Sequence, residues 1–554
     1  MPPGAPGPVL PVGSQLGDIT GWTTGDIIAR RASLHGERRF LEFVPDGRCF
    51  SYRDLHRITS GLAIGLRGLG VGRGDHVAVL MDNCPEQVFA MFAAGKLGAV
   101  AVPINTAARG LLLKYYLELA DVGTIVLQAD YVERLLPLLA ELPLLRRMVV
   151  LGDVDAARRA LQGTRVEVHG FPGAETASDE EVDASVRFSD LLYLMFTSGT
   201  TGPSKAIMMT HASAHAWAAQ TVAYRDYREG DVEYVCMPLF HVNALLISTT
   251  SALMAGTSVA LSDRFSASRF WDEIRASGAT RFNSIGAIGN FLWSRPPSPD
   301  DTAHRVRVCT LAPTPVFGPD FERRFGLRIM GGYSLSDYCA ATALTVDAPV
   351  EKMFSVGKPR AGVQVRVVDE NDMDVPQGTP GEIVLRSEHM WAAAPGYYKM
   401  PEATLASRRN LWFHTGDRGY FDAGGYLYFT DRIKDAIRRR GENISAYEVE
   451  SVIVTHPAVG QVAVYPLKSG HTEDEVAASG VLHPGQRLSP GELVAYCAEN
   501  MAHYMVPRYL EFVEELPCTP SQKVEKYKLR QRAEADVSRM WDRLAGERVQ
   551  GAAS

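Results

Sequence analysis

Thr197-Ser198-Gly199-Thr200-Thr201-Gly202-Pro203-Ser204-Lys205 is a run of small hydroxyl residues and glycines ending in a lysine, directly after the apolar stretch Leu191 to Phe196. Such a run lets several backbone N–H groups turn toward one anion, and Lys205 adds positive charge, so it reads as a phosphate cradle. It is not a Walker A loop: Gly199 and Gly202 enclose two residues rather than four, and Ala206 follows the lysine. Further strings follow in order: His241 in MPLFHVNAL, Leu311-Ala312-Pro313, Gly331 to Asp337, Asp417 in HTGD, and Lys523. Taken singly, each has a bland reading as a core histidine, a turn or a solvated charge. Their ordered company after the cradle gives them weight.

These residues need a scaffold. The chain has 554 residues, enough for three or four units at roughly 100–200 residues each. Hydrophobic residues make up 46% and charged residues 22%, a globular composition that argues against disorder. The net charge of −7 disfavours nucleic acid as a partner. Seven scattered cysteines, none spaced C-x-x-C, fit a reducing cytoplasm. The start is not a signal peptide and no apolar run is long enough to span a membrane. Ser51 is placed to cap a helix. HVAVLMD, AVAVPI and TIVLQA read as strands, alternating with helical patterns at 85–99, LLLKYYLELA and YVERLLPLLAEL. This order predicts an α/β fold with parallel sheets and helices on both faces. The stretch 153–187 reads as a polar surface connection. Short strands with Gly turns suggest a β-rich subdomain at about 345–430. The expected division is a mobile N-terminus 1–15, a large domain 16–431, a small α+β C-terminal domain 432–540 and a loose tail 541–554.

YLMFTSGTTGPSKAIMMTH resembles the phosphate-loop signature of the adenylate-forming superfamily of acyl- and aryl-CoA ligases, adenylation domains and luciferases. The resemblance runs from about Tyr52 to Lys528, and MAHYMVPRYLEFVEELP is most similar to medium-chain and carnitine-type CoA ligases. It implies a large N-terminal domain with a mobile C-terminal lid. It implies ATP and AMP contacts from Thr197, Ser198, Gly199, Thr200, Thr201 and Gly202. Further contacts would come from Ala312, Pro313, Gly332, Tyr333, Ser334, Ser336, Asp417 and Arg432. Tyr333 would stack on adenine and Ser336 would bond the phosphate. Asp417 would take the ribose hydroxyls, a role that suits an acceptor-only carboxylate. Asp337 and Thr197 would face Mg²⁺. Lys523, Lys205 and His241 would be catalytic, Lys434 the hinge and Gly441 the border of the CoA tunnel. The substrate pocket would draw on His241, Val242, Leu245, Ser284, Gly286 and Leu311, within walls 241–246, 283–291 and 311–314.

Within Gly331 to Asp337 three positions depart from the family pattern: Ser334 stands for Gly, Ser336 for Thr and Asp337 for Glu. A hydroxyl and a carboxylate survive, and the shorter Asp337 could reach a hydrated Mg²⁺ through water. Leu311, where glycine is usual, narrows the space beside the adenine or the acyl pocket. The activity implied is an AMP-forming ligase that converts a small acid to its adenylate, releases pyrophosphate and passes the acyl group to a thiol, most often CoA. The alternatives are transfer to a carrier protein or an aryl amine in secondary metabolism, including nitrite-activating diazotase chemistry, and a degenerate nucleotide-binding protein.

Overall fold

The structure is a computed structural model. It describes all residues except 1–11, 174–175, 181, 183, 198–203, 316, 433–436, 440–441, 445, 469–472, 518–523, 525, 546 and 549–554. The chain forms two compact units. The first comprises residues 1–106, 118–195 and 206–431; the second comprises 107–117, 196–205 and 432–554.

In the first unit the alternating pattern folds as the sequence predicts. Ser51 accepts from the Asp54 N–H and Asp54 returns the bond, a capping box that starts the helix Tyr52–Gly68. His76–Leu80, Val100–Pro103, Thr124–Gln128 and Arg147–Leu151 pair in parallel at the centre of an eight-stranded sheet. The helix Pro85–Leu97 is buried on nearly every side and is accordingly mostly apolar; its buried polar residues are bonded, Gln87 to Met81 O at 3.0 Å and the Lys96 ammonium to His56 O and Ser60 Oγ, both at 2.9 Å. A second, seven-stranded sheet runs in the order Arg328–Met330, Val308–Ala312, Arg281–Ile285, Val232–Val235, Ser258–Leu261, Arg39–Phe43 and Arg48–Ser51. It is parallel except for the last pair. A four-stranded sheet (Val363–Val368, Gly381–Ser387, Phe413–Phe421, Leu427–Arg432) supplies the β-rich region.

The second unit carries a five-stranded sheet built on the long hairpin Val459–Lys468 and Asp474–Leu482, with helices Ala446–Ile453, Pro490–Asn500 and Lys526–Ala535. Among the described residues, no helix is long and apolar enough to cross a membrane.

Several local expectations change. The helix expected over 131–142 breaks into Val132–Leu135 and a 3₁₀ segment Leu136–Glu141, because Pro137 cannot donate inside a helix. The stretch 153–187 contains a helix, Val154–Ala160, and an edge strand, Glu167–Gly170, parallel to Arg147–Leu151. Val12–Leu16 is helical, and its Val12 and Leu16 are buried in the core. Trp541–Asp542 and Glu547–Arg548 extend the C-terminal sheet, tied down by Arg508 to the Asp542 carboxylate at 3.2 Å. Apolar anchors and one buried carboxylate thus order residues that composition alone had assigned to loose ends.

Candidate functional site

Strand ends of the first unit present the motif residues. Val308–Ala312 leads into a cis Ala312–Pro313 peptide. Beside it, Gly286 opens the helix Gly286–Trp293, and a Cβ there would lie 2.7 Å from Pro313 O, an approach that only glycine allows. Gly332 is similar: a Cβ would meet Thr342 O at 2.6 Å.

This close packing positions Tyr333. Its N–H donates to Thr342 Oγ1 at 2.9 Å, and its hydroxyl donates to Asp417 Oδ2 at 2.6 Å. Two strings that lie far apart in sequence thus meet through one short, charge-assisted bond. Both residues are buried. The HTGD turn is braced in turn. Thr415 donates to Ile383 O at 2.7 Å, Gly416 N–H donates to Glu382 Oε1 at 3.1 Å, and His414 Nδ1 lies 2.9 Å from Glu382 Oε2. The backbone leading into Asp417 is therefore held by side-chain bonds, and its carboxylate by the Tyr333 hydroxyl. Phe429 faces the Tyr333 ring at a centroid distance of 6.5 Å.

Asp337 is half-buried, and its Oδ2 accepts from the Tyr397 hydroxyl at 2.6 Å. Burial, with the Asp337 charge adding to it, pushes the Tyr397 phenol far above the usual tyrosine range, so it remains a donor at any ordinary pH. Ser334 is exposed and Ser336 half-buried on the same turn. Among the described residues, no group of three or more His, Cys, Asp or Glu could hold a metal ion. One carboxylate is nonetheless the donor set that suits Mg²⁺ arriving on nucleotide phosphates.

His241 is half-buried, its N–H bonded to Pro238 O at 3.1 Å and its ring 4.6 Å from Phe240. Asn83, just beyond the strand His76–Leu80, clamps this loop by donating to Met237 O at 2.9 Å and accepting from Leu239 N–H at 2.9 Å. Val242 and Leu245 are buried in the central core. Leu311 is fully buried with Ile288 and Leu292, filling the space beside Gly289. Ser284 lies on that same face of the strand Arg281–Ile285 as Phe282, whereas Asn283 points to the opposite face and bonds Asn243 Oδ1 at 2.8 Å. The structure therefore separates Ser284 and Leu311 from the Asn283 face, because Leu311 packs into the helix-covered core.

In the second unit, the residue before Lys205 is held tightly. Ser204 is fully buried, and its carbonyl accepts from the Tyr115 hydroxyl at 2.7 Å. Its hydroxyl donates to Glu448 and lies 3.4 Å from the Tyr116 hydroxyl. Burial pushes the Glu448 carboxyl up to about 8. Thr197 ends the strand Leu191–Thr197, Lys205 opens the strand Lys205–Thr210, and Arg432 ends the strand Leu427–Arg432. Ser198, Gly199, Thr200, Thr201, Gly202, Lys434, Gly441 and Lys523 lie outside the described residues.

Asn83, Thr342, Tyr397 and Glu448 were not singled out by the sequence. Asn83 alone had a signal, a polar residue at the carboxyl end of a parallel strand, where α/β sheets place their ligands. The other three become visible only through their partners.

The AMP-binding enzyme family model matches residues 28–398, and the AMP-binding enzyme C-terminal domain model matches residues 448–523. The chain is 30% identical to a crotonobetaine/carnitine–CoA ligase of Salmonella heidelberg over 516 residues, covering 90% of this chain and 97% of the relative. Among solved structures, it resembles the o-succinylbenzoate CoA synthetase of Bacillus subtilis, with TM-score 0.77, 26% identity and coverage of 91% and 98%. It also resembles the amide bond synthetase of Marinactinospora thermotolerans, with TM-score 0.76, 25% identity and coverage of 91% and 99%. The chain thus belongs to the AMP-binding enzyme family, within the adenylate-forming superfamily, and is an AMP-forming ligase.

Proposed function

We propose that the enzyme joins a small organic acid to the α-phosphorus of ATP and then passes the acyl group to CoA. A carboxylate oxygen attacks the α-phosphorus, pyrophosphate leaves, and a mixed anhydride forms. A thiolate sulfur then attacks the carbonyl carbon, the C–O bond to AMP breaks, and a thioester results. The Tyr333–Asp417 bond is the observation that carries this reading, because it joins two nucleotide motifs at one point. In this reading Asp417 takes the ribose hydroxyls, Tyr333 offers its face to adenine, and Ser336 bonds the α-phosphate. Asp337, with Thr197, would hold Mg²⁺, which screens the phosphate charge as two anions meet. Lys205 and Lys523 supply fixed positive charge. Lys523→Ala should slow pyrophosphate release by about 100- to 1,000-fold, the usual loss for one preorganised donor; an unchanged rate would remove it from the mechanism.

We place the hinge between the half-reactions at Lys434 and the pantetheine border at Gly441. Lys434→Pro should block thioester formation while sparing pyrophosphate release; equal loss of both steps would contradict the hinge. The buried, unbridged Cys84, Cys236, Cys309, Cys339 and Cys497 suit a reducing compartment such as the cytoplasm. An amine acceptor is the second reading, favoured by the similarity to an amide bond synthetase and by the altered segment 331–337. A pyrophosphate-release screen over aryl, acyl and inorganic acids, with and without CoA and an aryl amine, tests both. Release that depends on an acid supports adenylation, and product analysis assigns the acceptor. No release with any acid would overturn it.

A further inference from the structure

Two arginines are buried without a counter-charge. Arg225 follows the helix His211–Tyr224 and is 6% exposed; Arg360 follows the strand Lys358–Pro359 and is 3% exposed. Among the described residues, neither forms an ion pair. The nearby carboxylates are already engaged. Glu233 accepts from Arg281 Nε at 2.6 Å and from Tyr227 at 3.2 Å. Asp231 and Asp226 take Arg307 at 2.8 and 2.7 Å. Arg225 Nη1 reaches only the neutral Asn283 Oδ1, at 3.1 Å, and its Nε has no partner. Arg360 Nε donates to Thr342 O at 3.0 Å, and its Nη1 has no partner. The guanidinium of Arg360 lies 5.5 Å from the Tyr224 ring, next in sequence to Arg225, and the Tyr224 hydroxyl accepts from Ala361 N–H at 2.6 Å. Burial, together with the charge of Arg225, lowers Arg360 to about 9, and burial lowers Arg225 to about 10.

Leaving two guanidinium groups without a counter-charge in the interior carries a desolvation penalty that an apolar pair would avoid. Orphaned buried donors of this kind are where an anion is gained on binding. Hydrogen bonds also connect the pair to residues beside the expected acid and nucleotide sites. Asn283, which accepts from Arg225, donates to Asn243, the second residue after His241. Arg360 in turn bonds Thr342, the residue that holds Tyr333.

We propose that Arg225 and Arg360 receive a second carboxylate on the substrate acid, so that the enzyme adenylates one end of a dicarboxylic acid while the arginine pair holds the other. This rests on the proposed adenylation and on the family resemblance, which implies that His241 lines the acid pocket. A planar guanidinium fork matches a carboxylate, and a site built around buried polar groups rejects an analogue that lacks the matching group.

The test is pyrophosphate release by the full-length enzyme with matched acids: glutarate against pentanoate, and isophthalate against benzoate. At least one diacid should exceed its monoacid by about 100-fold or more in kcat/KM. Arg360→Gln and Arg225→Gln should bring that ratio close to one, mainly through KM. A wild-type preference for both monoacids, or equal loss of diacid and monoacid turnover in the variants, would overturn the proposal. Folding is checked by Arg360→Met, which should raise the melting temperature of the ligand-free protein, since it removes an uncompensated charge. If no acid releases pyrophosphate, the adenylation reading fails, and the pair is judged by binding alone. With AMP present, isophthalate or glutarate should raise the melting temperature of the wild type but not of Arg360→Gln; no shift in the wild type would overturn the proposal.

Discussion

Tyr333 and Asp417 show how one hydrogen bond can join two segments distant in sequence, here at the proposed nucleotide site. The phenol fixes one carboxylate oxygen of Asp417, while the Thr415 and Glu382 bonds fix the backbone around it. Removing the hydroxyl by Tyr333→Phe deletes a bond to a charged group, worth about 1.5–3 kcal/mol. KM for ATP in a pyrophosphate-release assay should then rise roughly 10- to 100-fold, with the fold intact by circular dichroism. An unchanged KM would mean that this pair does not shape the nucleotide site. Tyr333 and Asp417 were legible in the sequence because each sits in a string of distinctive composition. Tyr397 was not: a tyrosine in GYY has many structural uses, and only its 2.6 Å bond to Asp337 separates it from them.

At the scale of elements, Ser204, just before the strand Lys205–Thr210, is gripped by Tyr115, Tyr116 and Glu448. Burial keeps the Glu448 carboxyl neutral up to about 8, whereas in the unfolded chain it ionises near 4.5. The folded state therefore holds a proton that the unfolded state has lost between about 4.5 and 8. Stability from this group is fully present below 4.5 and is lost as pH rises through 8. Above pH 8 a buried negative charge would appear next to the segment expected to cradle phosphate. KM for ATP should climb from pH 7.5 to 9 in the wild type, and Glu448→Gln should flatten that limb. An identical limb in the variant would show that Glu448 is not its source. Periodicity gave the strand Leu191–Thr197 and the helical stretch 111–120 their places, because buried apolar runs are local properties. It could not give the grip on Ser204, since Glu448 lies 244 residues away. Nor could it show that Leu311 enters the core, a matter settled by the space beside Gly289.

Across the whole molecule, stability has an acid-side dependence that the sequence could not reveal. His211 and His215 are fully buried on one helix, and burial lowers them to about 3 and about 4. Both rings are neutral in the folded state, while the unfolded chain protonates them near 6.5. Stability from this pair is present above 6.5 and is lost as pH falls toward 4. The slope is about 1.4 kcal/mol per pH unit for each ring. Urea unfolding between pH 7 and 5 should show the decline, and a flat profile would contradict neutral burial. The division of the chain was legible where texture changes near Asp431. The membership of 107–117 and 196–205 in the C-terminal unit was not, because it arises from contacts distant in sequence. Adenylation requires that an oxygen of the acid become bonded to the α-phosphorus of ATP. Turnover of a carboxyl-¹⁸O-labelled acid followed by mass spectrometry of the nucleotide tests this directly. The account predicts AMP carrying one ¹⁸O and unlabelled pyrophosphate; unlabelled AMP, or label in a γ-derived phosphate with ADP as the product, would contradict it.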